Sequence, residues 1–348
     1  LREGERQYPQ DERIYITHGT LLMNIKEFQM AEAVFHDLLV SVPGSAEAHY
    51  YLGIIALEAK TKLEAKEHFQ EAIALNTSFE RAYLKLVSVL EEEGDPQQAI
   101  NILEKYLIEM NPHHREFRLR LIRLYISQHN TENALGHLDH LLQENPDDLH
   151  AQVRKAQIYG EMGNFPAAIE ELKAILRIRP NELRVRDFLG LLYEEMKDYD
   201  RAIQMYQANV QIDHTFFDSI LHLGFVSYRL KRNQEALSYL EQAVKLNPKR
   251  PEPYLLLGLT YFQMEEYQEA KARLEEGIHQ DPSNAELHFN LGTTYDKLDL
   301  FDAVVREMEQ TLELDPEHAD ALNYLGYSYA DRGINGEQAL SLTQRAVA

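Results

Sequence analysis

The stretch 251–284, PEPYLLLGLTYFQMEEYQEAKARLEEGIHQDPSN, carries large, small and aromatic residues at Tyr254, Leu257, Gly258, Tyr261, Ala270, Leu274, Gly277 and Pro282. Counted from Pro251, these are positions 4, 7, 8, 11, 20, 24, 27 and 32 of a 34-residue unit. The same offsets recur along the chain in copies starting at 12, 46, 80, 115, 149, 183, 217, 251, 285 and 319, the last one truncated. One extra residue enters around Met110–His114 and another within Asp331–Gln338. Position 8 is Gly19, Gly53, Ala156, Gly190, Gly224, Gly258, Gly292 and Gly326, with Val87 and Ile122 in the third and fourth copies. Position 20 is Ala31, Ala65, Ala99, Ala134, Ala168, Ala202, Ala236 and Ala270, then Val304 and a shifted Ala339. Small residues at these offsets imply two helices in close approach. Prolines at 43, 146, 180, 248, 282 and 316 mark exits, because proline lacks an amide hydrogen and disfavours helical geometry in the residue before it.

Self-similarity at this period is the signature of a solenoid, in which each unit buries one face against its neighbours and the core grows with repeat number. The offsets resemble the tetratricopeptide repeat (TPR) consensus of helix, short turn, second helix and proline-marked exit. That resemblance implies an all-α fold, a right-handed α-solenoid superhelix of TPR helix-turn-helix repeats spanning 12–348. Residues 1–11 read as the end of a preceding repeat, with Pro9 at its exit position. Both ends fall inside a repeat, at Leu1 and Ala348, so the chain is expected to be a segment of a longer protein.

The composition excludes several classes of function. A formal charge of −22 opposes nucleic-acid binding, which needs a basic face. Zero cysteines exclude disulfides, zinc thiolates and a cysteine nucleophile. No apolar run approaches the roughly 20 residues of a membrane span. The sequence has no phosphate loop, HExxH motif or nucleophile elbow, and no cofactor is expected. His137, His140 and Glu144 share a helical spacing that would place three metal ligands on one face, but solvated surface histidines are the simpler expectation. His113 and His114 are read as loop residues, and Asn76-Thr77-Ser78 is a glycosylation sequon. The tyrosines at 125, 159, 193, 261, 295 and 329 all occupy position 11, a packing slot rather than a stacking platform for bases or sugars.

The TPR resemblance assigns partner binding to the concave surface, formed by positions 2, 5, 6, 9, 12 and 13 of each first helix. Three features stand out there. Position 6 is basic in three consecutive repeats, Lys85, Arg120 and Arg154, with Arg123 one turn beyond Arg120. This row would receive an acidic peptide or a carboxyl terminus; the competing reading pairs it locally with Glu91, Glu92, Glu116 and Glu161. Repeats six to eight carry an apolar strip, Leu191, Phe225 and Leu259 at position 9, with Leu221, Tyr228, Leu255 and Phe262 at positions 5 and 12. It would anchor hydrophobic side chains of a partner, or else serve as packing between neighbouring helices. A smaller patch, Tyr50, Ile54 and Leu57, belongs to the second repeat. Lysine is absent from position 5 throughout, so the carboxylate clamp of chaperone-binding TPR modules is not expected.

The sequence therefore reads as a non-catalytic scaffold that binds a protein or peptide segment, and not as an enzyme. The alternative is a regulatory or targeting arm of a larger enzyme whose catalytic domain lies outside the segment. End-to-end self-association is a further expectation, because a solenoid cut within a repeat exposes apolar end faces. The stretch 322–333, LNYLGYSYADRG, resembles large bacterial TPR proteins, many of them envelope lipoproteins, which implies a periplasmic or outer-membrane-associated setting before a cytoplasmic one.

Overall fold

The computed structural model describes residues 1–347, with the side chains of Arg2 and Val347 left out; Ala348, where the sequence reading placed the interrupted last helix, lies outside the described residues. The chain forms two compact units, Leu1–Ile158 and Tyr159–Ala348. In the first are α1 (Arg2–Gln7), α2 (Glu12–Asn24), α3 (Phe28–Ser41), α4 (Ala46–Glu58), α5 (Lys62–Leu75), α6 (Glu80–Glu93), α7 (Pro96–Glu109), α8 (Arg115–Ser127) and α9 (Thr131–Glu144), and the division falls in α10 (Leu149–Glu161). The second continues with α11 (Phe165–Ile178), α12 (Leu183–Glu195), α13 (Tyr199–Ile212), α14 (Phe217–Arg229), α15 (Asn233–Leu246), α16 (Glu252–Gln263), α17 (Tyr267–Gln280), α18 (Ala285–Lys297), α19 (Phe301–Leu314), α20 (Ala319–Asp331) and α21 (Gly336–Val347). Among the described residues there is no strand.

One turn is reused throughout. Residues 26, 60, 94, 129, 163, 197, 231, 265, 299 and 333, position 15 of the frame, all adopt positive φ between 54° and 76°. Three of them are glycine and the others are Lys, His, Glu or Asp. The amide of the next residue then reaches back five residues, as in Glu27 to the Leu22 carbonyl and Asp198 to the Tyr193 carbonyl, at 2.8–3.1 Å in all ten copies. This is the Schellman closure, which satisfies carbonyls that the end of the first helix leaves without a partner. In the first nine copies the same residue then starts the second helix, and where it is Asp95, Asn130, Asn164 or Asp198 its side chain caps that helix; in the tenth the extra residue delays the start to Gly336. Termination of one helix and initiation of the next are thus packed into two residues.

Tertiary packing follows the frame equally closely. A β-carbon on Gly53, Gly190 or Gly258 would lie 2.5–2.6 Å from the side chain of Phe69, Tyr206 or Leu274, the residue at position 24 of the same hairpin. Glycine at position 8 is therefore a socket for the large side chain on the facing helix. Of the position-11 tyrosines, Tyr125, Tyr193, Tyr295 and Tyr329 are buried, while Tyr159 and Tyr261 are half-buried. Their hydroxyls do more than the packing slot required. Tyr125, Tyr295 and Tyr329 donate to Glu104, Glu275 and Glu309, at position 25 of the preceding hairpin.

A second stitch joins hairpins at the proline exits. The side chains of Arg118, Gln152, Arg186, Tyr254 and His288, all at position 4, reach the carbonyls of Pro112, Pro146, Pro180, Pro248 and Pro282, six residues earlier. These carbonyls fall beyond the end of a helix and have no helical donor, so a polar position-4 side chain supplies one.

Candidate functional site

First helices of successive hairpins touch one another in the Tyr159–Ala348 unit: α12 with α14, α14 with α16, and α16 with α18. They form a continuous wall, and the apolar strip lies on it. Leu191, Leu221, Phe225, Tyr228, Leu255, Leu259 and Phe262 are all half-buried. Leu221 and Tyr228 pack on the Ala236–Leu240–Leu257 core, and Leu255 on the Leu274–Leu287 core. Phe262 meets Tyr267 edge to face at 5.3 Å, and the Arg229 guanidinium sits 6.0 Å from the Phe225 ring centre. Leu221, Tyr228 and Leu255 thus root the strip in the core, while all seven side chains stay partly accessible.

Position 5, one of the inner-face offsets, is not open to a partner in every repeat. Tyr50 is 6% exposed, enclosed by Phe69 and Phe79 with the Arg81 guanidinium 4.4 Å over its ring, so the Tyr50–Ile54–Leu57 patch belongs to the core of its unit. Asp187, at the same offset, is also buried. Its Oδ1 accepts the Ser219 hydroxyl at 2.6 Å; Ser219 in turn accepts from Asn209 at 2.9 Å, and Asn209 accepts from Arg186 at 2.8 Å. Beside this chain Tyr206 donates to Glu194 at 3.1 Å and stacks on His222 at 5.0 Å. Burial holds the Asp187 and Glu194 carboxyl groups above the usual carboxylate range. At Asp187, position 5 of α12 meets Ser219 on α14, the next first helix, rather than solvent.

The basic row lies in the Leu1–Ile158 unit. Arg120 is held by Glu91 at 2.6 Å and by the Ser88 hydroxyl at 2.8 Å, so for this residue the local-pairing alternative describes the contact. Arg154 donates to Gln157 at 3.1 Å. Lys85 and Arg123 are exposed and form no ion pair among the described residues. His137 differs from a solvated surface histidine: it is half-buried, stacked on Tyr125 at 5.6 Å and 3.3 Å from Arg118 Nη1. His140 is exposed and lies 3.8 Å from Glu144, which also holds His113 at 2.6 Å. Among the described residues no group of three His, Asp or Glu side chains is arranged to hold a metal ion. His114 is a capping residue, accepting the Phe117 amide at 3.2 Å.

His49 and His68 form a half-buried pair, Nδ1 to Nδ1 at 3.1 Å, a bond that needs at least one neutral ring. Burial, the largest influence, pushes both below the ordinary 6.5, against the opposing pull of Glu71 on His49 and of Glu64 and Glu67 on His68; His36 adds to the lowering. The unfolded chain therefore binds these protons more readily than the folded one. The stability is complete above pH 6.5 and declines as pH falls through the lowered folded values. Denaturant titrations of wild type between pH 7.5 and 5.5 are expected to show this loss, and His68→Leu to reduce its slope; an unchanged slope would remove the pair as its source.

The sequence reading passed over a further feature of the wall. Between α18 and α20 a cavity of about 770 Å³ is lined by Phe289, Asp296, Phe301, Asp320, Tyr324, Tyr327, Asp331 and Arg332, among others. Most of these occupy positions 2, 5, 6, 9, 12 and 13, so the signal was legible as aromatic and acidic residues at inner offsets of the last two repeats. Tyr327 is 70% exposed.

A family model described as tetratricopeptide repeat matches residues 90–134, 125–192, 227–291 and 261–325, more than half of the chain. Two further models of that description match 16–78 and 185–216. A comparison with curated proteins gives no match. Among solved structures, a tetratricopeptide repeat protein from Parabacteroides merdae ATCC 43184 superposes with a TM-score of 0.52 at 15% identity, covering 76% of this chain and 98% of that one. MamA from Desulfovibrio magneticus RS-1 gives 0.44 at 22% identity over 48% of this chain and 94% of its own. YrrB, described as a TPR protein with an unusual peptide-binding site, gives 0.43 at 21% identity over 54% and 96%. Arrays of such repeats are protein-interaction scaffolds, typically without catalysis of their own. On the model matches and the hairpin recurring from Glu12 onward, the chain belongs to the tetratricopeptide repeat family.

Proposed function

We propose that this scaffold binds a peptide or protein segment along the inner face formed by its first helices. The observation that carries the reading is the strip on α12, α14 and α16, seven half-buried apolar side chains of which Leu221, Tyr228 and Leu255 pack on the core beneath. A partner's hydrophobic residues would gain desolvation there without reordering the wall, since the roots of these side chains are already packed. In the Leu1–Ile158 unit, Lys85 and Arg123, without an ion pair among the described residues, offer cations to an acidic group, whereas Arg120 would have to leave Glu91. The row therefore selects and steers more than it holds. Among the described residues no helix is long and apolar enough to cross a membrane.

Photo-crosslinking tests this directly. A benzophenone side chain introduced at Tyr228 is expected to capture a partner segment from native extract, identified by mass spectrometry, while the same group at Leu63, exposed on a second helix, captures none of it. Phe225→Glu combined with Leu259→Glu should weaken capture on the order of 1000-fold in affinity, since two apolar anchors at roughly 2 kcal/mol each come to about 4 kcal/mol and about 1.4 kcal/mol is tenfold. Equal yields from Tyr228 and Leu63, or an undiminished yield from the double variant, would refute the apolar strip as the binding surface.

A further inference from the structure

The cavity between α18 and α20 has a chemistry unlike that of the strip. Its walls are aromatic: Phe289 and Tyr324 meet edge to face, with ring centres 6.4 Å apart at 89°, and Tyr327 stands largely in solvent. Its rim is acidic. Asp296, Asp320 and Asp331 are exposed and form no ion pair among the described residues. Burial, with the Asp296 carboxylate beside it, pushes the Tyr324 phenol above its ordinary range. One cation is already present, the Arg332 guanidinium, which lies 3.9 Å over the Phe301 ring. The pocket's own side chains thus demonstrate that its aromatic wall accepts a flat cation. Three carboxylates against one guanidinium leave the cavity negative, which repels an anion and attracts a second cation.

We infer that this cavity is a subsite for an arginine side chain of a bound peptide segment. The inference rests on the reading of the inner face as the binding surface and gives that surface a second specificity, for cationic rather than purely apolar residues. A volume of about 770 Å³ accommodates the side chain with its flanking backbone. Guanidinium suits the site better than ammonium because it is planar, stacks on aromatic faces and pairs bidentately with carboxylates. The methylene stem of arginine would lie along Phe289 while its head reaches Asp296 and Asp320.

The test uses fluorescein-labelled octapeptides that differ only at one central residue, either arginine, lysine, the neutral isostere citrulline or glutamate, titrated against the full chain by fluorescence anisotropy. Arginine is expected to bind roughly tenfold tighter than citrulline at low salt, with lysine between them and the preference shrinking as salt is added. Tyr327→Ser and the pair Asp296→Asn, Asp320→Asn, all at exposed positions, should abolish the preference and leave circular dichroism unchanged. Equal binding of the arginine and citrulline peptides, no binding of any peptide, or a preference surviving both variants would overturn the subsite. If Tyr228 still cross-links its partner in that case, the subsite alone falls. If the arginine preference is measured while Tyr228 captures nothing, the subsite stands and the strip reading falls.

Discussion

Tyr206→Ala is expected to destabilise the Tyr159–Ala348 unit by about 3–5 kcal/mol, the range for removing a large aromatic side chain from a packed interior. Tyr206 is fully buried, fills the socket at Gly190, stacks on His222 at 5.0 Å and donates to Glu194 at 3.1 Å. The hollow cannot close easily, because the two helices of the hairpin are tied by the Asp198–Tyr193 turn bond at 2.8 Å. Hydrogen exchange of α12 and α13, read beside urea denaturation, localises the effect, since a repeat array distributes stability among nearest neighbours. A second substitution separates the socket from simple loss of bulk. Gly190→Ala alone gains up to about 1 kcal/mol in helix propensity but forces a β-carbon to 2.5 Å from the Tyr206 ring, an overpacking cost of roughly 1–3 kcal/mol. It should destabilise wild type yet stabilise Tyr206→Ala. The same sign in both backgrounds would mean that the ring is not what demands glycine at 190.

Asn209→Leu should cost about 3 kcal/mol or more, although leucine is similar in size and more apolar. The fully buried amide accepts from Arg186 at 2.8 Å and donates to the Leu183 carbonyl at 2.8 Å and to Ser219 at 2.9 Å. Leucine leaves a buried guanidinium with the Pro180 carbonyl as its remaining acceptor, and each orphaned buried group costs about 1–3 kcal/mol. Adding Arg186→Met should recover part of the loss, because removing both partners of a buried polar contact costs less than removing one. A double-mutant cycle with strictly additive losses would show that Arg186 and Asn209 do not depend on each other.

The residues that repeat were the legible ones. Glycine at position 8, alanine at 20 and proline at 32 each answer to a contact or turn inside one hairpin, a span the 34-residue frame encloses. The left-handed turn at position 15 was not seen, because Lys26, Lys60, Gly94 and His129 share no chemistry there. Nor was the bond from a position-4 side chain to the proline carbonyl, although its spacing of six residues is regular enough to have been found. Inner-face residues were harder. Tyr50 and Asp187 share an offset with Leu221 and Leu255, yet the first two are buried and the others half-open.

By itself the sequence determined the helical hairpin, its register and the identity of the packing slots, because those depend on side chains within one period of each other. Which inner-face residues remain free was decided only by the tertiary structure. Asp187 is enclosed by Ser219 from the next hairpin, Arg120 is claimed by Glu91 from the previous one, and the Phe289–Tyr324 cavity is walled by two first helices at once. Such pairings join residues about thirty apart, and a periodic pattern gives equivalent positions the same label however their neighbours are filled.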